Sequence, residues 1–440
     1  MARSYDLTNG SITQHLLRLA APLIAGNILQ QLYNTVDTFI LGRFAGADEF
    51  ASVGIAGSVM NLFLFMITGA CTGISVLFAQ FYGAEDQKSF RREHWLSLSF
   101  GVLVTVICSI LGLLVLPSLL RMIQTPKELT ALVTSYLTII LFSLPAAFLY
   151  NLYSAILRAI GRVNAALIAL ASAVTVNLAL DFCFVAKFQW GIAGAAWATA
   201  VSQLLSAIVC IVYLRHQTPE LFFTRTDCRV DRVLLRHTAH FSFVTALHQS
   251  SLYIGKLLVQ GAVNTGGTDM ISAYTATTRI EGFANSFGDS GSAATSILVA
   301  QNRGAGKNTR VQQSFRSSLM LMLCMGVAMS AIMYVSTSAS VGFMLGKRSG
   351  ESFENACEYM KIIALFYTLC FTGNTFAGYF NGSGRVSIPF IGATLHIALR
   401  VILSYLLVEK MGLPAVALAT GIGWALVNVL WAIIKHYSKK

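Results

Sequence analysis

The sequence predicts an all-α, polytopic membrane protein whose twelve transmembrane helices form two pseudo-symmetric six-helix lobes. Three observations carry this: a very apolar composition, a series of long apolar runs, and an internal repeat. Hydrophobic residues make up 55% of the 440 positions and charged residues 11%, where a soluble domain carries roughly 25% charged. A soluble chain of this length would divide into domains with polar surfaces, and this one lacks the residues to cover them.

Residues 46–84 and 267–305 align without a gap at a constant offset of 221. Identities include Gly46/Gly267, Asp48/Asp269, Ser75/Ser296, Ala79/Ala300, Gln80/Gln301, Gly83/Gly304 and Ala84/Ala305. Gly161-Arg162-Val163 then matches Gly384-Arg385-Val386, and the segment from Gly191 matches that from Gly412, again 221 apart. A duplicated half in so apolar a chain points to a transporter with its pathway between the halves.

Apolar runs of bilayer-spanning length cover 15–41, 52–80, 94–117, 129–157, 163–186, 191–214, 237–264, 272–301, 314–341, 357–380, 386–408 and 412–435. Pro22, Pro145 and Pro389 fall inside runs and are expected to bend their helices. Gly, Ala, Ser and Thr in the interiors, such as Gly69, Gly73 and Ser75, suit close packing in lipid. The domains expected are an N-terminal lobe at 1–214, a basic cytoplasmic linker at 215–236 and a C-terminal lobe at 237–440. Six spans per half is even, so both halves enter the membrane in the same sense, with their axis along its normal.

Charge sets the orientation. With both termini cytoplasmic, twenty Lys and Arg fall on the inner side and seven (Arg43, Arg121, Lys127, Lys187, Lys347, Arg348, Lys410) on the outer. The net charge of +12 is then a topology signal and not a sign of nucleic-acid binding. The expected location is the cell membrane, with lipid as surroundings and the chain as a monomer. The first run is too long for a secretory h-region and reads as a retained span. The eight cysteines are scattered, most of them in apolar runs, and fit core residues better than a disulfide framework or metal site.

Of nineteen acidic residues, Asp37, Asp181, Glu281 and Asp289 lie well inside runs. Lys256, Arg279, Lys361 and Arg400 join them. Ionisable groups at depth are costly and face a cavity or one another. Asp37 lies in the outer part of span 1 and Asp181 in that of span 5, with Asn177 one turn before it on the same face. Thr199 descends span 6 to a matching depth. Two carboxylates, an amide and a hydroxyl are oxygen ligands for a hard cation such as sodium, with Asp37 and Asp181 as its acidic ligands. Held together, the carboxylates repel, which makes a proton an alternative occupant. The alternative is that each bonds a neighbouring helix.

Glu281 and Asp289 stand two turns apart on span 8, with Lys256 and Arg400 on spans 7 and 11. Two readings fit them: a structural salt-bridge network including Arg279, or a second proton or substrate site. His248 and His396 are candidate proton relays. Tyr33, Phe65, Met66, Tyr150, Tyr153, Phe287, Tyr367 and Phe376 line an apolar substrate pocket or belong to the core. No nucleophile–base or metal motif such as H-E-x-x-H speaks for an intramembrane enzyme.

The segments Asp6-Leu7-Thr8-Asn9-Gly10-Ser11, Pro22, Gln30-Gln31-Leu32-Tyr33-Asn34-Thr35-Val36-Asp37-Thr38 and Gly42-Arg43 resemble the first span of MATE (multidrug and toxin extrusion) transporters. The repeated Ala-Gln-x-x-Gly-Ala at 79–84 and 300–305 resembles the end of spans 2 and 8 in that family. Arg158–Arg162 and Asn381–Arg385 resemble its turns after spans 4 and 10. The resemblance implies two lobes in a V around a central cavity, exporting organic and often cationic compounds against sodium or proton entry, with no cofactor. It maps the family's N-lobe cation site onto Asp37, Asn177, Asp181 and Thr199. Some members carry acids on spans 7 and 10, where this chain has Lys256 and no buried acid, so the N-lobe is the expected site. The competing reading is a flippase of lipid-linked sugar or polysaccharide precursors, kept open by Lys256, Arg279 and Arg400.

The orientation has a direct test. In a background lacking Cys228, a cysteine at Thr226 should react with a membrane-impermeant maleimide only after cells are permeabilised. Labelling in intact cells would reverse the topology.

Overall fold

The computed structural model describes residues 6–44, 46–122 and 124–437, apart from the side chains at 34, 35, 38 and 47. Arg3, Lys439 and Lys440 of the charge count, and the side chains of Asn34, Thr35 and Thr38 in the first motif, lie outside the described residues. Twelve long α-helices run in order: α1 Ile12–Phe44, α2 Ala47–Gly83, α3 Gln87–Met122, α4 Lys127–Ala159, α5 Val163–Asp181, α6 Gly191–Gln217, α7 Arg232–Asn264, α8 Gly267–Gly304, α9 Asn308–Leu345, α10 Glu351–Gly382, α11 Ser387–Met411 and α12 Leu413–Tyr437. A π-helical turn, Phe182–Lys187, continues α5, and a short 3-10 turn, Pro219–Leu221, follows α6. The helices overrun the expected apolar runs at most ends, because backbone hydrogen bonding continues into the headgroup region after the apolar signal stops. Nine of the helices, among the described residues, are apolar enough to cross a membrane. Not in that set are α1, α7 and α8, the last two carrying His248, Lys256, Arg279, Glu281 and Asp289.

The duplication persists down to individual hydrogen bonds. After α2, Ala84 N donates to Gln80 O and Asp86 N to Phe81 O; after α8, Ala305 N donates to Gln301 O and Lys307 N to Asn302 O. Between them stand Glu85 at φ 62° and Gly306 at φ 71°, left-handed residues at equivalent positions. The turns after α4 and α10 match too, with Gly161 at φ 81° and Gly384 at φ 73°. Pro389 disturbs its helix less than expected. It falls in the first turn of α11, where its missing N–H would have had no partner.

The described residues form two compact units. One comprises 25–246 and the other comprises 7–24 with 247–440. In the first, α4 packs against α2, α3 and α6. In the second, α10 packs against α8, α9 and α12. Small residues set how closely these helices approach. A Cβ on Gly378 or Gly382 of α10 would meet the carbonyl oxygens of Ser292 and Ser296 on α8 at 2.4 Å, so the two backbones touch one turn apart on both helices.

Polar ties secure the segment that leads into each unit. Around the linker, Arg91 Nε meets Asp227 Oδ2 at 3.0 Å, and Thr224 donates to the same oxygen from its backbone N and its hydroxyl. Burial pushes the Asp227 carboxyl up, but the bonds from Thr224 and Arg91 outweigh it and hold the group below the usual carboxylate range. Thr238 of α7 donates to the fully buried Glu93 carboxylate, and the adjacent His94 reaches Tyr153 and the Leu221 carbonyl. In the second unit Lys307 Nζ donates to Thr8 O and Asn9 Oδ1, and Arg310 Nη2 to Gly10 O.

Gly382→Leu should lower the melting temperature of the purified protein, overpacking costing about 1–3 kcal/mol. Gly46→Ala, whose added methyl group meets nothing within 4 Å, should leave it unchanged. Equal melting temperatures in the two variants would sink the close-approach argument.

Candidate functional site

In the first unit, three helices and the π turn bring the predicted acids together. Asp37 on α1 is half-buried, and Asp181, the last residue of α5, is 1% exposed. The two carboxylates act directly on one another. Asn177, one turn earlier on α5, is 2% exposed. Thr199 on α6 lies within hydrogen-bonding reach of the Tyr33 hydroxyl, and Tyr33 sits one turn before Asp37 on α1. Tyr136 on α4, buried and donating to Met60 Sδ, faces both acids. Of the four residues predicted from spacing, all come to one neighbourhood. Tyr136 was not legible, because nothing in the sequence distinguishes it from the other tyrosines of the spans.

The cluster is short of donors. Both polar atoms of Asn177 are buried without a hydrogen-bond partner, and the Asp181 carboxyl meets no group but the other acid, Asp37. Among the described residues, no lysine or arginine stands among the groups acting on Asp37 or Asp181. Two acids and an amide carbonyl thus converge with no cation of the protein's own to balance them, an arrangement that a bound cation or a proton completes. One turn further on lie Leu41, Val185 and Ala195, four residues from Asp37, Asp181 and Thr199 respectively, packed as an apolar layer with Val53. This layer keeps the acids out of contact with bulk water on that side. The π turn begins immediately after Asp181, and its wide bonds, such as Phe188 N to Cys183 O at 2.8 Å, re-aim the end of the helix.

The second unit holds a different cluster. Glu281 on α8 accepts hydrogen bonds from Tyr359 at 2.8 Å and Tyr367 at 3.3 Å, both on α10. Arg400 on α11 donates to the Tyr274 hydroxyl at 3.2 Å, and the Tyr274 ring stands edge-on to Tyr359. The salt-bridge network considered from sequence is not what forms. Arg400 is in electrostatic reach of Glu281, but tyrosine hydroxyls occupy the carboxylate oxygens. Lys256, Arg279 and Asp289 are exposed, Lys256 acting on both Asp289 and Glu281 from a distance. His396 packs near Trp424 with Nε2 unpartnered. Of the aromatics weighed as pocket lining, Tyr153, Tyr367 and Phe376 are core. Among the described residues, no group of three or more His, Cys, Asp or Glu is placed to hold a metal.

The sequence profile of the MatE family matches residues 22–183 and 243–406. Over 388 residues the chain is 25% identical to the probable multidrug resistance protein YoeA of Bacillus subtilis, covering 87% of this chain and 83% of YoeA. With the probable multidrug resistance protein YpnP of the same organism it shares 24% over 412 residues, covering 92% and 88%. An outward-facing multidrug resistance MATE transporter of the MOP superfamily has the same fold, with TM-score 0.91 at 20% identity over 99% of this chain and 98% of that one. A MOP superfamily transporter from Pyrococcus furiosus, described as having a binding pocket of reverse polarity, superposes at TM-score 0.89 and 20% identity over 98% and 97%.

The unpartnered atoms carry a stability cost that can be measured. Asn177→Leu removes two buried orphan groups at similar volume and should raise the melting temperature, each such group costing about 1–3 kcal/mol. A marked fall would mean that Asn177 holds the helices together.

Proposed function

The chain belongs to the MatE family of multidrug and toxin extrusion transporters, a multi-pass membrane protein and not an enzyme, and from that premise we propose that it exports small organic, often cationic compounds in exchange for Na+ or H+. Asp37, Asn177, Asp181 and Thr199 carry the coupling cation, with the acids as its charged ligands. The observation that carries this reading is the buried, unpartnered amide of Asn177 beside two carboxyls that have only each other, with no basic side chain acting on the acids among the described residues. Export is the reading that the names of the relatives support, each being a multidrug resistance protein. A flippase of lipid-linked sugars is not favoured.

Cation entry would work through packing. With the site empty, two carboxylates face each other and push α1 away from α5. A cation or proton removes that repulsion and supplies ligands or a donor to the orphan oxygens, so α1, α5 and α6 draw together. Only a difference in cation affinity between two conformations can drive the change, and the acids provide one if their separation differs between them. The protein acts as a monomer in the cell membrane, both termini cytoplasmic, so the coupling ion runs inward as substrate leaves.

Efflux of a cationic dye from vesicles, with sodium and pH gradients imposed separately, tests the proposal and identifies the ion. Asp37→Asn and Asp181→Asn should each abolish gradient-driven efflux while leaving the protein folded and in the membrane. Full efflux in both variants would move coupling elsewhere, first to Glu281.

A further inference from the structure

The two halves register against one another at two offsets. From Gly46 to Ala84 the offset is 221, at Gly161–Val163 it is 223, and from Gly191 it returns to 221. The family profile repeats the same pair of numbers, its matches beginning 221 apart and ending 223 apart. The first half therefore holds two residues more between Val163 and Gly191 than the second holds between Val386 and Gly412. The structure absorbs them after the π turn: α5 with that turn spans 25 residues, as α11 does, whereas residues 188–190 lead into α6 where Gly412 alone leads into α12. Before that connection the 223 offset applies. Asn177 then corresponds to Arg400, and Asp181 to Ser404. The α6/α12 offset pairs Thr199 with Thr420.

In the second half the place of the orphaned amide is thus taken by a guanidinium. Its surroundings resemble a filled cation site. Arg400 donates to Tyr274, and Glu281 balances its charge across the Tyr274–Tyr359 contact. Ser404, in the place of Asp181, is fully buried with its hydroxyl unpartnered, so no acid faces the guanidinium from that position. Arg400 and Glu281 balance one another, and Lys256 acts on Glu281 and Asp289 from further off, so the acids here have cations of the protein's own, whereas no basic side chain acts on Asp37 or Asp181 among the described residues.

We propose that Arg400 is a tethered cation, standing in the second half where the coupling ion stands in the first, so that each chain takes up its ion at a single site. The proposal rests on the coupling role of Asp37 and Asp181, but Arg400 can be tested without it. Removing the guanidinium leaves Glu281 as an uncompensated buried carboxylate and opens a hole of guanidinium shape. Small guanidinium ions should fill it.

The test uses the full chain carrying Asp181→Asn, which disables the first-half site, in lipid nanodiscs. Adding Arg400→Ala should lower the melting temperature by roughly 5–10 °C, as expected when one member of a buried charge pair is lost. Guanidinium chloride at low millimolar concentration should restore a large part of that loss, and choline chloride at equal ionic strength should restore none. The parent carrying Asp181→Asn alone should respond to neither salt. If Arg400→Ala does not fold, Arg400→Gln keeps a donor for Tyr274 and removes the charge, and the same rescue is read. Failure of guanidinium to rescue either variant, or equal rescue by choline, overturns the proposal. Loss of the coupling role alone would appear differently, as efflux surviving in Asp37→Asn and Asp181→Asn.

Discussion

Inside a bilayer no water is available to finish a hydrogen bond, so every polar atom at depth must be satisfied by the chain or by a ligand. Most of this structure obeys that constraint by local means. Buried Ser and Thr residues turn their hydroxyls back to the carbonyl three or four residues earlier, as Thr105, Ser206, Ser290 and Thr337 do. Small residues at helix crossings then let backbones touch without placing further polar groups at depth. Against that background a buried carboxyl whose one neighbour is another acid stands out, and it is this contrast that supports the proposed ion site.

The fold was largely legible in the sequence because duplication writes each feature twice. The Ala-Gln-x-x-Gly-Ala repeat marked two helix ends, and the structure reproduces them with equivalent hydrogen bonds and equivalent left-handed residues at 85 and 306. Span ends were less legible, since hydropathy reports where lipid ends and not where the helix does. The four predicted residues of the first-half cluster could be read because an acid in an apolar run is conspicuous, and helical spacing fixes which neighbours share its face. Tyr136 could not be read, since a tyrosine in such a run is ordinary and its role depends on which helices meet. Glu281 was found but its partners were not. Periodicity offered three cations, whereas the fold supplied two phenols from α10, because α10 packs along α8 where α7 and α11 place their charges at greater reach.

The compact units do not break where the sequence suggested a linker. Residues 7–24, with the start of α1, cluster with the second half, and residues 232–246 of α7 with the first, so each repeat lends the start of its first helix to the other. Nothing in composition marks this. It follows from which surfaces touch, and the polar ties at Thr238–Glu93 and at Lys307–Thr8 accompany it.

The two first helices are nevertheless unequal. In α1 the change of unit falls between Ile24 and Ala25, two residues after Pro22. Proline removes the bond its N–H would make to the carbonyl four residues earlier, here Arg18, so the ladder of α1 is weakest beside that change. In α7 the change falls between Ala246 and Leu247, and the helix contains no proline. Thus α1 carries both the yielding point and Asp37, about 15 residues or four turns further along. By contrast α7 has neither: the 221 offset sets Leu258 against Asp37, and pairing Leu32-Tyr33 with Leu252-Tyr253 sets Leu257 there, so no acid stands at that place. If Asp37 couples as proposed, the change in its charge is felt on the one first helix whose hydrogen-bond ladder a proline interrupts. Duplication supplied two copies of the scaffold, and acid and proline are found together on the first helix of only one of them.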